Sequence, residues 1–132
     1  MSVGGAPLFA ESVAAGFPSP AQDDVEQTLD LNALCVKRPA ATFFVRVSGE
    51  SMTGAGIYPG DVLVVDRSLE SRHGDIIIAA LHGEFTVKEL CLKPSPRLLA
   101  HNPAHTHIEL PEPGALEVFG VVTGVVRTLQ RR

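Results

Sequence analysis

The pattern of apolar and polar positions changes near Pro39. Residues 1–22 are rich in Ala, Gly, Ser and Pro, and residues 23–34 place apolar side chains among acidic and amide ones. We expect the first segment to be a flexible arm, partly disordered or extended, because its prolines stop a helix. The second segment predicts a short helix or turn. After Pro39, short β-branched and apolar runs alternate with turn residues, which is typical of strands.

The runs after Pro39 predict six or seven short strands. They cover residues 43–47, 62–65, 76–81, 85–90, 97–100, 106–110 and 116–128. His82-Gly83 is expected to be a two-residue hairpin loop between the third and fourth runs. So many short strands predict a mostly β fold, a curved antiparallel sheet over residues 39–132 that follows an arm and linker over residues 1–38. The last run is apolar enough to lie inside the core or to form part of a dimer contact.

Charge and hydropathy exclude several classes of protein. Eleven Lys and Arg against 15 Asp and Glu give a net charge of −4. A protein that binds the phosphates of nucleic acid by itself needs clustered basic residues, so we expect no direct binding of nucleic acid. The longest apolar stretch, residues 118–126, is interrupted and falls far short of the roughly 20 residues of a membrane span. Residues 1–15 contain no Lys or Arg, unlike a signal peptide. We expect a soluble, cytoplasmic protein.

The cysteines and histidines give no pattern for a disulfide, a metal or a cofactor. Cys35 and Cys91 lack CxxC spacing, and Cys91 is expected to be a small core residue. Three histidines, His101, His105 and His107, share a proline-containing loop without supporting ligands at suitable spacing. We expect that loop to be solvated, with no metal bound.

One serine follows a predicted strand and enters a loop of small residues. Ser51 lies in Gly49-Glu50-Ser51-Met52, and residues 53–56 continue as Thr-Gly-Ala-Gly. Such a turn can expose a serine Oγ and leave neighbouring backbone N–H groups free for an oxyanion. The same composition also occurs in ordinary turns, so the serine alone does not establish catalysis.

Lys88 is the better candidate for a base than any histidine. It follows Phe85-Thr86-Val87 in a predicted strand with apolar neighbours. A lysine accepts a proton only when neutral, and neutrality at pH 7 costs roughly 4.6 kcal/mol from an ordinary pKa of about 10.4, which burial can supply. Alternation places Glu84 on the face of Lys88, where it could disturb the base. An ordinary surface lysine is the alternative.

Four sequence blocks, in this order, resemble a known family: Gly16-Phe17-Pro18-Ser19-Pro20, Ser48-Gly49-Glu50-Ser51-Met52, His73-Gly74-Asp75-Ile76 and Gly83-Glu84-Phe85-Thr86-Val87-Lys88. The chain resembles the LexA/UmuD family of self-cleaving serine-lysine peptidases, and its UmuD branch most. The resemblance implies a LexA-like, signal-peptidase-like β core. It implies that Ser51 is the nucleophile, that Lys88 is the general base and that the scissile bond joins Ala15 to Gly16. The backbone N–H groups of Ser51 and Glu50 would then hold the oxyanion.

The resemblance also implies partners and a biological role. It implies a homodimer whose cleavage is stimulated by a RecA–single-stranded DNA filament. The trimmed form would serve as accessory subunit of an error-prone Y-family DNA polymerase in SOS mutagenesis and translesion synthesis. Two features depart from the UmuD branch: only 15 residues precede Gly16, and Ala15 stands where enterobacterial members have cysteine.

Other functions fit the same sequence. The chain could be a truncated LexA-like or phage-repressor-like regulator, although the residues before Pro39 are fewer than the roughly 50 to 60 of a three-helix DNA-reading domain. It could be an interaction module that keeps the fold without cleaving. A signal-peptidase-like processing enzyme is less favoured, because the sequence shows no membrane anchor.

Overall fold

The computed structural model describes residues 5–10, 12–13, 15–16, 25–111 and 116–130. Its contacts divide the chain into two units, residues 1–37 and residues 38–132, and each is described by itself. Residues 17–20 of the first block above, and residues 23–24 of the predicted helix, lie outside the described residues. No helix in the described ranges is long and apolar enough to cross a membrane.

The first unit contains a two-stranded antiparallel sheet and one short helix. Strand β1 (Ala6–Phe9) pairs with β2 (Val25–Leu29), and helix α1 (Leu31–Cys35) follows. The Asp30 carboxylate caps α1 by accepting a hydrogen bond of 3.0 Å from the Asn32 N–H. The prediction of a helix or turn over residues 23–34 is wrong for β2, because pairing with β1 satisfies its backbone groups. It is right for α1. At β1, the segment expected to be a flexible arm forms a paired strand.

The second unit is built on a seven-stranded sheet in which all pairs are antiparallel. The strands are β3 (Thr42–Arg46), β4 (Val62–Asp66), β5 (Ile76–Leu81), β6 (Glu84–Cys91), β7 (Arg97–Leu99), β8 (Ile108–Glu109) and β9 (Glu117–Val126). Their order across the sheet is β3-β4-β9-β5-β6-β7-β8. The mostly β, antiparallel fold is confirmed, and each predicted run after Pro39 contains a strand.

The hairpin between β5 and β6 has the predicted two-residue loop. Leu81 pairs with Glu84, and His82 and Gly83 have φ values of 51° and 82°. Two successive residues in the left-handed region match the right-handed twist of the strands that they join. This tight turn fixes the register of β6 on β5, and with it the place of Lys88.

The C-terminal run lies inside the sheet. Strand β9 pairs with β4 on one side and with β5 on the other. Gly120 and Val121 are buried, and a Cβ added to Gly120 would lie 2.6 Å from Val65 Cγ1. The interpretation of this run as a core strand is therefore confirmed for its middle, whereas Val125 and Val126 at its end are exposed.

The sheet packs apolar side chains on both faces. Ile77 and Ile78 are neighbours on β5 and therefore point to opposite faces, and both are buried. Each belongs to a different cluster of buried residues: Val47, Met52, Ile57, Leu63, Val65 and Ile78 on one face, and Ile77, Ala79, Leu90, Leu98, Leu110 and Val121 on the other. Strand β5 thus gives β6 a rigid, buried neighbour.

Candidate active site

The loop that carries Ser51 leaves β3 and returns to β4. Its two ends are joined by hydrogen bonds from the Val47 N–H to the Asp61 C=O at 2.8 Å and from the Gly60 N–H to the Val47 C=O at 2.9 Å. Gly49 has a φ of 83°, a left-handed conformation that other residues rarely adopt. Met52 is only 2% exposed, so it anchors the loop in the core directly beside the half-buried Ser51.

Lys88 lies on β6 with its amine against that loop. Its Nζ is 3.0 Å from Ser51 Oγ, 2.8 Å from Thr86 Oγ1 and 3.1 Å from the Val87 carbonyl oxygen. The residue is 8% exposed. Burial lowers the pKa of Lys88, because the desolvated ammonium is disfavoured relative to the neutral amine. The alternative of an exposed surface lysine is therefore wrong.

Thr86 is a functional candidate that the sequence reasoning passed over. Its hydroxyl oxygen can accept a hydrogen bond from the ammonium or from the neutral amine, whose lone pair then stays available to Ser51, so it can orient Lys88 in both states. The alternation that placed Glu84 on the face of Lys88 also places Thr86 there, two residues nearer. Glu84 is exposed, and among the described residues no carboxylate forms an ion pair with Lys88.

The loop between β7 and β8 packs against the loop of Ser51. The His101 N–H donates to the Ser51 C=O at 2.7 Å, and the Gly54 N–H donates to the His101 C=O at 2.6 Å. Asn102 Nδ2 donates to the Glu50 C=O at 2.8 Å. The expectation of a solvated loop is wrong for His101 and Asn102, which are half-buried, because their polar groups find partners in the neighbouring loop.

The other residues of that loop remain on the surface. His105 and His107 are exposed, and His107 Nε2 is 3.3 Å from Glu109 Oε1. His101 Nε2 lies 2.9 Å from Glu89 Oε1 on β6. Within the described ranges, no group of three or more His, Cys, Asp or Glu residues is arranged to hold a metal ion.

An ion pair between a buried carboxylate and a partly exposed guanidinium holds the far end of the Ser51 loop. Asp61 is 2% exposed, and its carboxylate accepts hydrogen bonds from Arg127 and from the Tyr58 N–H. The Arg127 guanidinium, more than any other group, lowers the pKa of Asp61 to about 2. Arg127 also stacks over the Tyr58 ring, 4.7 Å from its centroid. The segment that returns to β4 is therefore fixed to the end of β9.

Among the cysteines, Cys91 is buried at 5% exposure and is confirmed as a small core residue. Cys35 is half-buried at the end of α1. Both have free thiols.

A cleft of about 280 Å³ opens beside Ser51. Its walls combine polar and apolar surface and come from β3, β5, β6 and the Ser51 loop. The side chains that define it include Val45, Val47, Met52, Ile78, Phe85 and Val87. The cleft therefore brings apolar side chains, together with the polar residues Arg46, Ser48 and Thr86, next to Ser51.

The remaining predicted site groups lie in two places. The N–H groups of Ser51 and Glu50 donate no hydrogen bond to any described residue, which leaves both free to face a ligand. Ala15 and Gly16 belong to the first unit, where they form an exposed bend. A Cβ at Gly16 would meet nothing within 4 Å.

The sequence matches the Peptidase S24-like family over residues 7–123. It is 54% identical to Protein ImpA of Salmonella typhimurium, over 96% of this chain and 87% of that protein. It is 54% identical to Protein SamA of Salmonella typhimurium strain LT2, over 92% and 84% of the two chains. The LexA repressor of Alcanivorax borkumensis is 39% identical over 87% of this chain but only 56% of the repressor.

ImpA and SamA are UmuD-like SOS mutagenesis proteins, as is Protein MucA of Escherichia coli, which is 49% identical over 89% of this chain and 81% of that protein. LexA is the more distant relative. The chain therefore belongs to the Peptidase S24-like family, with the UmuD-like SOS mutagenesis proteins.

Proposed function

We propose that this protein cuts its own N-terminal arm between Ala15 and Gly16, with Ser51 as the nucleophile and Lys88 as the general base. The observation that carries the proposal is the distance of 3.0 Å between Lys88 Nζ and Ser51 Oγ. This distance is within reach of direct proton transfer. Burial lowers the pKa of Lys88, which increases the fraction of the amine that can accept a proton near neutral pH.

The reaction consists of acylation and hydrolysis. As Ser51 Oγ attacks the carbonyl carbon of Ala15, its proton passes to neutral Lys88 Nζ, and the N–H groups of Ser51 and Glu50 hold the oxyanion. The C–N bond then breaks, and the Lys88 ammonium gives the proton to the departing Gly16 amine. Water attacks the acyl ester and passes a proton to Lys88, and this proton returns to Oγ. The products are the first 15 residues and a core that begins at Gly16.

Two neighbours of Lys88 support this role. Thr86 Oγ1 and the Val87 carbonyl lie within hydrogen-bond distance of Nζ. They offer partners to two of the three hydrogens of the ammonium that forms during acylation, and the third, which came from Ser51 Oγ, is left to pass to the Gly16 amine. The amine is thereby held in place through both protonation states, which is the condition for returning the proton to the leaving group.

The tethered arm explains why such a reaction needs regulation. A substrate on the same chain has a high effective concentration, so cleavage stays slow only if the productive pose is rare. The small side chains of Ala15 and Gly16 allow a sharp approach to a narrow cleft. A RecA–single-stranded DNA filament that binds the productive pose about 100-fold more tightly would shift the balance by roughly 2.7 kcal/mol.

The trimmed core serves, in this proposal, as a homodimeric accessory subunit of an error-prone Y-family DNA polymerase in the cytoplasm. The UmuD-like relatives support this role. The net charge of −4 fits a protein that meets DNA through a filament and a polymerase rather than through its own surface.

The test is intact-mass analysis of the purified full chain, with and without RecA, ATP and single-stranded DNA. Wild type should yield a core that begins at Gly16, and the filament should accelerate its appearance. Ser51→Ala and Lys88→Ala should stay intact. The matched control is Lys93→Ala, because Lys93 is an exposed lysine just beyond the end of β6, and it should cleave like wild type.

Three results would contradict the proposal. A Gly16 start in the Ser51 or Lys88 variant would exclude the dyad. A different new N-terminus in wild type would exclude the scissile bond. Wild type that stays intact after prolonged alkaline incubation would favour a non-cleaving interaction module. For the partner role, the trimmed core should co-elute with a Y-family catalytic subunit, and separate elution at micromolar concentration would contradict it.

A further inference from the structure

We propose that Asn102 is a positioning residue that holds the peptide between Glu50 and Ser51, so that the Ser51 N–H faces the oxyanion. This inference rests on the proposed function, because it concerns the same self-cleavage. It assigns a role to the loop between β7 and β8, which neither the dyad nor the cleft uses.

The peptide bond between Glu50 and Ser51 is held by a hydrogen bond from Asn102. Asn102 Nδ2 donates to the Glu50 C=O at 2.8 Å. The peptide between Glu50 and Ser51 is planar, and in the trans form its C=O and N–H point in opposite directions. The same carbonyl also accepts a longer hydrogen bond of 3.3 Å from the Thr53 N–H, so Asn102 is the nearer of its two donors. A donor that fixes the carbonyl also fixes the direction of the Ser51 N–H, which has no hydrogen-bond partner among the described residues.

The next peptide is held from the same loop. The His101 N–H donates to the Ser51 C=O at 2.7 Å, and the Gly54 N–H donates to the His101 C=O at 2.6 Å. A Cβ at Gly54 would lie 2.5 Å from the His101 carbonyl oxygen, so the two loops approach as closely as a glycine allows. His101 and Asn102 thus donate hydrogen bonds to the carbonyls of Ser51 and Glu50. Both carbonyls lie in the loop between β3 and β4, where no strand pairing holds them.

Asn102 is itself held in one orientation. Its Oδ1 accepts a hydrogen bond of 2.9 Å from the Ala104 N–H, which leaves Nδ2 to face Glu50. Next to it, His101 Nε2 lies 2.9 Å from Glu89 Oε1, and Glu89 follows Lys88 on β6. One loop therefore contacts both the peptides of the nucleophile and the strand of the base.

This arrangement matters for the transition state more than for folding. An oxyanion donor stabilises the intermediate only when it already points to where the charge develops, and removal of such a donor slows related reactions by about 10²- to 10³-fold. Loss of Asn102 keeps the Ser51 N–H but leaves the Glu50 C=O with only the 3.3 Å bond from the Thr53 N–H, so the peptide is held less firmly. We expect a slower reaction by about 10- to 100-fold.

Two variants of Asn102 and one control separate positioning from general damage. Asn102→Asp is isosteric and keeps the acceptor for the Ala104 N–H, but it loses the donor to Glu50. Asn102→Ala loses both. The control is His105→Ala, an exposed side chain in the same loop.

Two rates are measured on the full chain. One is self-cleavage from about pH 7 to about pH 10, followed by intact mass. The other is labelling of Ser51 by a fluorophosphonate probe, which also places an anionic oxygen in the oxyanion site. Both Asn102 variants should lose 10- to 100-fold in both rates, and His105→Ala should match wild type. The midpoint of the pH–rate profile of Asn102→Ala should stay that of wild type. A thermal melt of each variant reports whether it is folded.

The outcomes distinguish this inference from the proposed function. Wild-type rates in a folded Asn102→Asp or Asn102→Ala chain would overturn the role of Asn102. A shifted midpoint in Asn102→Ala, which adds no charge, would also overturn it, because the effect would then pass through Lys88. If wild type is labelled but never cleaves, the proposed self-cleavage fails, and the labelling rates of the variants still decide the role of Asn102.

Discussion

Replacing Lys88 by Met should abolish an increase in the free energy of unfolding with pH. Burial lowers the pKa of Lys88, whose side chain is almost fully covered. Between that lowered pKa and the ordinary lysine pKa of 10.5, the unfolded chain binds a proton that the folded chain does not. The free energy of unfolding therefore increases with pH across this interval, by about 1.4 kcal/mol per pH unit for one proton.

The comparison is made in a Ser51→Ala background, so that no cleavage disturbs the measurement. Met has a similar length to Lys and fills irregular apolar space without a charge. Relative to the Lys88→Met chain, the chain with Lys88 should be least stable below its lowered pKa, where the ammonium is buried. It should gain about 1.4 kcal/mol for each pH unit of the interval.

Urea denaturation followed by tyrosine fluorescence measures this difference. The chain has one tyrosine and no tryptophan, and Tyr58 lies in the unit that contains Lys88. The series runs from about pH 6 to about pH 9.5, below the ionisation of tyrosine. Lys93→Met, at an exposed site, is the control and should follow its parent at every pH.

A constant difference in stability between the chain with Lys88 and the Lys88→Met chain across this range would refute the reasoning. It would mean that the folded state does not lower the pKa of this amine, and the dyad would then have no neutral base near pH 7.

Three further predictions concern groups around the site. Thr86→Val should slow self-cleavage about tenfold, the equivalent of one hydrogen bond of about 1.4 kcal/mol, and intact-mass time courses measure it. Gly120→Ala should destabilise the sheet by about 1–3 kcal/mol in urea denaturation, because its methyl group would crowd Val65. Arg127→Met should weaken the dependence of the free energy of unfolding on pH below about pH 4. Asp61 has a pKa lowered to about 2, so the stability that it contributes is present above about pH 4 and lost as pH falls towards 2.

Each of these has a matched comparison. Thr86→Ser keeps the hydroxyl and should retain most of the rate, so equal losses in Ser and Val variants would contradict the role of that hydroxyl. Gly124→Ala adds a methyl group with 3.4 Å to its nearest neighbour, and it should cost less than Gly120→Ala. An unchanged slope between about pH 4 and pH 2 in the Arg127 variant would contradict the assignment to Asp61.

The strands of the sheet could be predicted because each is a local pattern. Runs of β-branched residues between turn residues indicate strands, and His82-Gly83 fixes a hairpin with a known twist. Strand β2 could not be predicted in the same way. Its backbone partners lie on β1, about 20 residues earlier, and sequence periodicity carries no signal for such a distant pairing.

The residues of the candidate site likewise differ in whether local sequence patterns predict them. Ser51 and Lys88 are 37 positions apart, and only the resemblance to a family pointed to their contact. Thr86 could have been found, since alternation on β6 places it beside Lys88. Asn102 could not, because its contact with Glu50 spans 52 positions and depends on how the loop between β7 and β8 folds back.

The central claim is that Lys88 takes the proton of Ser51 to cut the bond between Ala15 and Gly16. The most direct test is the rate of self-cleavage of the wild-type chain against pH, without any filament, with the new N-terminus read by intact mass. We predict a core that begins at Gly16, formed faster as pH rises from about 7 to about 10 because more of the amine is neutral. A rate that does not change over this range, or a product with another N-terminus, would contradict the claim.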